Sequence, residues 1–296
     1  MITLRRQPPA AAGLDLHSHS WHSDGVLAPC EVARRMAMAG LRLGALTDHD
    51  TLAGADEFRR EAVRHGLAAL PGVEMTCACE ELKALRQTEG SGDPVEVHLL
   101  VYGIEPGQPD FEAFLAAIRA MRRERVAGML ARLRELGLPV AEESLARRLD
   151  TGSVGRPHLA RLLVEAGHVR TVDEAFQRWL AEGRPAWLPK RLPELREALA
   201  LARGLGGVAL AAHPAQTLPT GAPLVLVDLG VDGLEARHPS HRAARVRELH
   251  ELCRRNGLSA SAGSDFHDPA LGRYRAPGWT AAQVGGRLQA LLEALA

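Results

Sequence analysis

Seven short apolar runs in this chain end in, or carry, histidine or carboxylate side chains, and that recurrence constrains the fold more than any single motif. Leu14–Leu16 leads into His17 and His19, and Leu43–Leu46 into Asp48, His49 and Asp50. Leu67–Val73 leads into Glu74, while Val95–Val101 carries His98. Farther on, Val208–Ala212 leads into His213, Gly233–Ala236 into His238 or His241, and Leu258–Ala262 into Asp265 and His267. Short apolar runs bounded by turn residues read as strands. Amphipathic stretches lie between the early ones: Pro29–Ala39, opened by a proline and closed before Gly40, and Ala55–Arg64, closed before Gly66. Strand and helix alternate, as in a parallel α/β architecture. In βα barrels the working side chains collect at the carboxyl ends of the strands. A scatter of unrelated surface or core histidines would show no such preference.

The rhythm breaks after Tyr102. Apolar positions recur at helical spacing over Phe111–Leu136, and helical patterns continue through Leu145–Leu149, Pro157–Ala166 and Val172–Ala181. The alternation resumes with a helix over Pro193–Ala202. The expected organisation is a discontinuous barrel, residues 1–104 and 191–296, interrupted by a helical subdomain over 105–190. The segment Cys77–Asp93 reads as a loop between strands. Arg119, Arg122, Arg123 and Arg125, interrupted by Glu124, read as a solvated helix face rather than a track for nucleic acid.

Composition narrows the function classes. Lysine plus arginine equals aspartate plus glutamate, 36 against 36, so the overall field favours neither a nucleic-acid coat nor an anionic membrane. No stable nucleic-acid complex is expected, and the sequence gives no reading of oligomeric state. Four cysteines, none in a Cys-x-x-Cys pair, make no disulfide framework. With no apolar stretch of signal-peptide or membrane-span length, the expected location is the cytoplasm.

His17 and His19, two apart after a strand, point their imidazoles the same way. Imidazole with carboxylate and without thiolate suits a catalytic manganese, iron or zinc site, manganese foremost. About nine candidate ligands exceed what one ion needs, so two or three divalent ions are expected. Such ions lower the pKa of a bridging water and neutralise phosphate oxygens, which makes phosphate ester hydrolysis the natural reaction. Cys77 and Cys79, although next to Glu74, read as bystanders.

The runs Asp15-Leu16-His17-Ser18-His19, Ser23-Asp24-Gly25, Thr47-Asp48-His49-Asp50, Pro71-Gly72-Val73-Glu74, His98-Leu99-Leu100, Ala212-His213-Pro214 and Gly263-Ser264-Asp265-x-His267 resemble the polymerase-and-histidinol-phosphatase (PHP) family. The resemblance implies an α/β fold, a distorted seven-stranded TIM-like (β/α) barrel with a three-metal site. Carried over residue by residue, one ion would take His17, His19, Glu74 and Asp265, with Glu74 bridging to a second ion held by His98 and His213. A third would take Asp24, His49 and His267, which also places Asp24 among the catalytic residues.

Gly155-Arg156-Pro157-His158, with Ala175-Phe176 and Gly183-Arg184-Pro185-Ala186, resembles the branch that includes 3',5'-nucleoside bisphosphate phosphatases and 5'-to-3' RNA exonucleases. That implies a nucleotide or short oligonucleotide substrate, with Arg156 and His158 at a substrate phosphate. An arginine's planar fork suits the task. Glu235-Ala236-Arg237-His238-Pro239-Ser240-His241 resembles the same branch. It offers Ser240 and His241 as phosphate contacts, or His241 as the proton donor to the leaving oxygen. Two alternatives stay open: a small-molecule phosphatase acting on a substrate such as histidinol phosphate, and a non-catalytic metal-binding module. The Arg156 motif speaks against the first, and the complete ligand sets against the second.

Overall fold

The computed structural model of the chain describes residues 13–85, 95–141, 153–216, 218–271 and 279–294. Strands β1 (Gly13–Asp15), β2 (Leu43–Leu46) and β3 (Ala68–Ala78) run parallel, Leu14 beside Leu43 and Leu43 beside Ala68. Helices α1 (Pro29–Met38) and α2 (Ala55–Arg64) form their crossovers and close a small core of Val32, Met36, Phe58 and Leu67. Pro29 opens α1 where no amide hydrogen bond is needed, and Glu31 and Arg35 complement the helix dipole at opposite ends.

The next strand departs from the expected βα order. β4 (Glu96–Tyr102) runs antiparallel to β3 on one side and to β5 (Val208–Ala211) on the other. A parallel return needs a long crossover, usually a helix. The segment after β3 supplies among its described residues only a turn of 3-10 helix, Glu80–Leu85. β3 also runs through Cys77 and Ala78, which read as loop in the sequence.

Parallel order returns with β6 (Gly233–Arg237) and β7 (Ser259–Ala262). The barrel closes just beyond the strand ends: the Leu16 amide donates to the Ala262 carbonyl at 3.0 Å, Asp265 to His17 at 2.9 Å and His19 to Phe266 at 2.9 Å. A short β8 (Trp279–Thr280) lies antiparallel on β1. The distorted α/β barrel of seven strands is thus the observed fold, with β8 as an addition.

Between β4 and β5 come α3 (Pro109–Glu135), α4 (Arg156–Glu165) and α5 (Val172–Ala175), the last running into a turn of π-helix, Phe176–Leu180. Val126, Met129, Leu133, Leu159, Leu163 and Leu180 form a core of their own there, apart from the barrel interior. The expected helix over 145–149 lies outside the described residues. Three of the four arginines expected on a solvated face of α3 are instead engaged with other elements. Arg119 donates to the Asp50 carbonyl, Arg122 to Asp50 Oδ2 and Thr76 Oγ1, and Arg125 to the Leu188 carbonyl. Helix periodicity marks which positions align, and these face the barrel mouth rather than water. Among the described residues no helix is long and apolar enough to cross a membrane.

Candidate metal centre

His17 and His19 bring their Nε2 atoms within 3.1 Å of each other just past β1. Glu74 Oε2 lies 3.2 Å from each, and Asp265 Oδ1 lies 3.3 Å from the first and 3.1 Å from the second. Ligand bonds of about 2.0–2.2 Å set neighbouring donor atoms roughly 3.0–3.5 Å apart, so this spacing matches the shell of one divalent ion. Glu74 turns its other oxygen, Oε1, to His98 Nδ1 at 2.7 Å and His213 Nε2 at 3.1 Å. Beside them Asp24 Oδ1 stands 3.0 Å from His267 Nε2, and its Oδ2 3.7 Å from His49 Nε2. The nine residues expected as ligands therefore converge into adjoining clusters around Glu74, each able to hold a metal ion.

Local backbone explains the convergence. Thr76 pairs with His98 across the β3–β4 ladder, which leaves Glu74 and His98 as diagonal neighbours on one face. Because β4 runs in reverse, His98 sits near its amino end, and Glu74 lies in mid-strand; the rule of carboxyl ends fails for these two residues. Among the described residues, the non-glycine positions with positive φ are Asp50, His213 and Asp265. Asp50 follows His49, and His213 and Asp265 lie two and three residues past the ends of β5 and β7; a left-handed turn there costs about 1–2 kcal/mol. That expense aims the His213 and Asp265 side chains inward.

The electrostatics fit a cation. Burial alone would protonate Glu74, yet His49, His17 and His98 hold it well below the usual carboxylate range. Burial discourages charge on His19, but hydrogen bonds to Asp265 and Glu74 raise it to about 10. His98 also reaches about 10 against burial, through Glu74 and Glu96. His49, buried and crowded by His19 and His98, is pushed down to about 3. Protons crowd in where metal charge would serve. His49 Nδ1 is buried without a hydrogen-bond partner, as a donor atom facing a cation would be.

Several residues without an expected role complete the centre. Glu235, fully buried, takes His17 Nδ1–H at 3.1 Å and the His213 amide at 2.7 Å. Glu96 accepts from His98 Nε2 at 2.8 Å and pairs with Lys190, whose ammonium burial lowers to about 8. Asp48 accepts from both Ser20 and Ser23 hydroxyls. Asp50 binds the Thr76 amide and Arg122. Asp48, Asp50 and Glu235 lay inside quoted motifs. No spacing distinguishes a carboxylate that orients a ligand from one that is a ligand.

A cavity of about 230 Å³ opens on this centre. Its floor carries Asp24, His49 and His98, and its walls carry Arg122, Arg156, Lys190 and Arg191. The Arg156 guanidinium lies over the Phe176 ring, 5.7 Å from its centroid, and among the described residues it has no carboxylate partner. His158 lines the same cavity, but Nδ1 accepts the Gly155 amide at 3.1 Å and Nε2–H donates to the Ser23 carbonyl at 3.0 Å. Both nitrogens are committed, so His158 positions α4 instead of gripping a phosphate.

Ser240 and His241 lie elsewhere, lining a second cavity with Arg242 and Arg245. The Ser240 hydroxyl donates to His238 Nδ1 at 2.7 Å, and His238 Nε2 faces Asp265 Oδ2 at 3.2 Å. Ser240 thereby orients His238. His241 Nδ1–H donates to the Ala236 carbonyl, and burial lowers its pKa. Its Nε2 is buried and makes no hydrogen bond among the described residues.

Fold and site define a class: an α/β barrel that gathers histidines and carboxylates into clusters able to hold metal ions, beneath a cavity lined by cationic side chains. Residues 15–139 match the family described as PHP domain. The chain is 35% identical over 267 residues to a 3',5'-nucleoside bisphosphate phosphatase of Chromobacterium violaceum, covering 88% of this chain and 89% of the relative. It is 33% identical to a 5'-3' exoribonuclease of Haemophilus influenzae, covering 86% and 90%. A Bifidobacterium adolescentis crystal structure described as a metal-dependent phosphoesterase superposes with a TM-score of 0.76 at 29% identity, covering 96% of both chains. The chain belongs to the PHP family.

Proposed function

We propose that this chain is a metal-dependent hydrolase of nucleotide phosphate esters. Its substrates are 3',5'-bisphosphonucleotides, the 5'-phosphorylated ends of short RNA, or both. The observation that carries the reading is the single cavity whose floor is the histidine–carboxylate cluster and whose wall presents Arg156, with Arg122, Lys190 and Arg191 beside it. The histidine–carboxylate cluster and the cationic side chains line one cavity there, as a phosphate-bearing substrate would require.

Three divalent ions, manganese foremost, would be held by His17, His19, Glu74 and Asp265, by Glu74, His98 and His213, and by Asp24, His49 and His267. Bound there, the ions supply a water of lowered pKa and neutralise the phosphoryl oxygens. The chain's own groups do the rest. Glu235 and Glu96 fix the ring orientations of His17 and His98, and Arg156, backed by Phe176, grips two oxygens of a non-reacting phosphate. Residues 105–190 act as the inserted subdomain that carries this arginine over the barrel mouth.

The test incubates manganese-loaded protein with 3'-phosphoadenosine 5'-phosphate and, separately, with a short 5'-phosphorylated RNA. Phosphate or mononucleotide release from at least one is expected, and loss of that release in the His17→Ala/His19→Ala double variant. Arg156→Ala should raise KM for the bisphosphate far more than for an aryl phosphate. Equal effects on both substrates would remove Arg156 from recognition, and release undiminished in the double variant would refute the metal mechanism.

A further inference from the structure

Three successive carbonyls on the loop that carries Asp24 are bound by the segment around Arg156. The Ser153 amide donates to the His22 carbonyl at 2.8 Å, His158 Nε2–H to Ser23 at 3.0 Å, and Arg161 Nη2 to Asp24 at 3.0 Å. Arg156 stands between the first and second of these donors, at the start of α4. Its helix is therefore fastened to the backbone of the residue that completes one cation cluster. Asp24 itself turns Oδ1 to His267 Nε2 at 3.0 Å, and where that carboxylate can reach is set by the backbone these ties hold.

His158 can serve this link in one tautomer only. With the proton on Nε2 it donates to Ser23, and the bare Nδ1 accepts the Gly155 amide that opens α4. One ring thus joins the helix start to the loop. Arg161, five residues farther along α4 than Arg156, adds the second side-chain tie.

We propose that α4 couples capture of a substrate phosphate at Arg156 to the placement of Asp24, with His158 and Arg161 as positioning residues. This rests on the site reading above, in which Asp24 helps to hold an ion and Arg156 a phosphate. The coupling is reciprocal: whatever steadies α4 tightens the Asp24 cluster, and an ion in that cluster steadies the phosphate grip. Because the ties end on backbone carbonyls, they can shift Asp24 without altering its chemistry.

Manganese binding, followed by calorimetry with and without inorganic phosphate, tests this in wild type, Arg156→Ala, Arg161→Ala and the double variant. Asp24→Asn identifies which ion belongs to the Asp24 cluster. Arg161→Ala should weaken that ion about tenfold and leave the others unchanged. The part of the phosphate effect that depends on Arg156 should be present in wild type and absent on the Arg161→Ala background. This double cycle removes any direct contact between phosphate and metal, which all variants share. Arg161→Lys, which keeps a donor, should restore part of the coupling, and matching melting curves show that the fold is intact. An Arg156-dependent gain that survives Arg161→Ala, or one lacking in wild type, would overturn the coupling. An Asp24→Asn protein that binds as many ions as wild type would instead overturn the site reading beneath it.

Discussion

Gly263 stands where a Cβ would come within 2.1 Å of the His17 Cβ and 2.5 Å of Glu235 Oε1. Gly263→Ala should therefore displace His17 from its carboxylate anchor, with elemental analysis finding at least one ion fewer per chain and turnover lost. Full metal content in that variant would show that the backbone can relax. Glu235→Gln keeps the shape but weakens the acceptor for His17, and a 10–100-fold loss of metal affinity is expected by calorimetry. The raised pKa values give a further test. His19 and His98 hold protons up to about pH 10 in the apo protein, whereas a metal takes only the neutral ring. Metal binding must then release protons, and affinity must rise as pH climbs from 6 towards 9. Titration at pH 8 in buffers of different ionisation enthalpy should detect that release; its absence would contradict the protonation reading. At this scale the ligands were legible, because His-x-His and Asp-x-His after apolar runs carry their own spacing. Glu235, Glu96 and Asp50 were not, since a lone carboxylate in a strand or turn looks the same whether it binds a metal, a ligand or a distant arginine.

Elements were legible wherever one periodicity ran unbroken. α1 and α2 start and stop within a residue of the positions that proline and glycine mark, and β5 to β7 follow their apolar runs. Strand direction was not legible, because alternation of side chains is identical in parallel and antiparallel strands. The reversal of β4 therefore had no signature beyond the lack of a crossover helix after β3. Nor did the pattern of α3 reveal which face would meet the barrel. Arg122 reaches from α3 to the fully buried Asp50 at 2.6 Å, while Asp50 also holds the Thr76 amide and donates its own amide to the Glu74 carbonyl. Arg122→Met would leave that carboxylate buried without its cation, a loss of about 3–5 kcal/mol when one partner of such a pair is removed. Denaturant melts should show the drop, and adding Asp50→Asn should recover part of it. Additive losses in the double variant would mean that the two residues stabilise the fold separately.

Across the whole molecule, the cation centre lies on the seam where the barrel closes. The last element-to-element hydrogen bonds of the barrel join Leu16 to Ala262, His17 to Asp265 and His19 to Phe266. His17, His19 and Asp265 are also the residues whose donor atoms crowd within 3.1–3.3 Å. An ion held there would join the first strand to the last and act as a clasp on a closure made otherwise by few backbone bonds. Binding to the folded state alone stabilises by about 2.7 kcal/mol at a hundredfold excess over Kd. The effect should not be uniform, since the β3–β4 ladder, although it carries Glu74 and His98, is held along its length by its own backbone pairing. Hydrogen exchange with manganese and then with a chelator should therefore show protection lost first at the amides of Leu16, His19 and Asp265. The Met75 and Leu99 amides in the middle of β3 and β4 should change little. Equal loss in both regions would mean that metal stabilises the barrel globally, and the seam would then need no ion to stay shut.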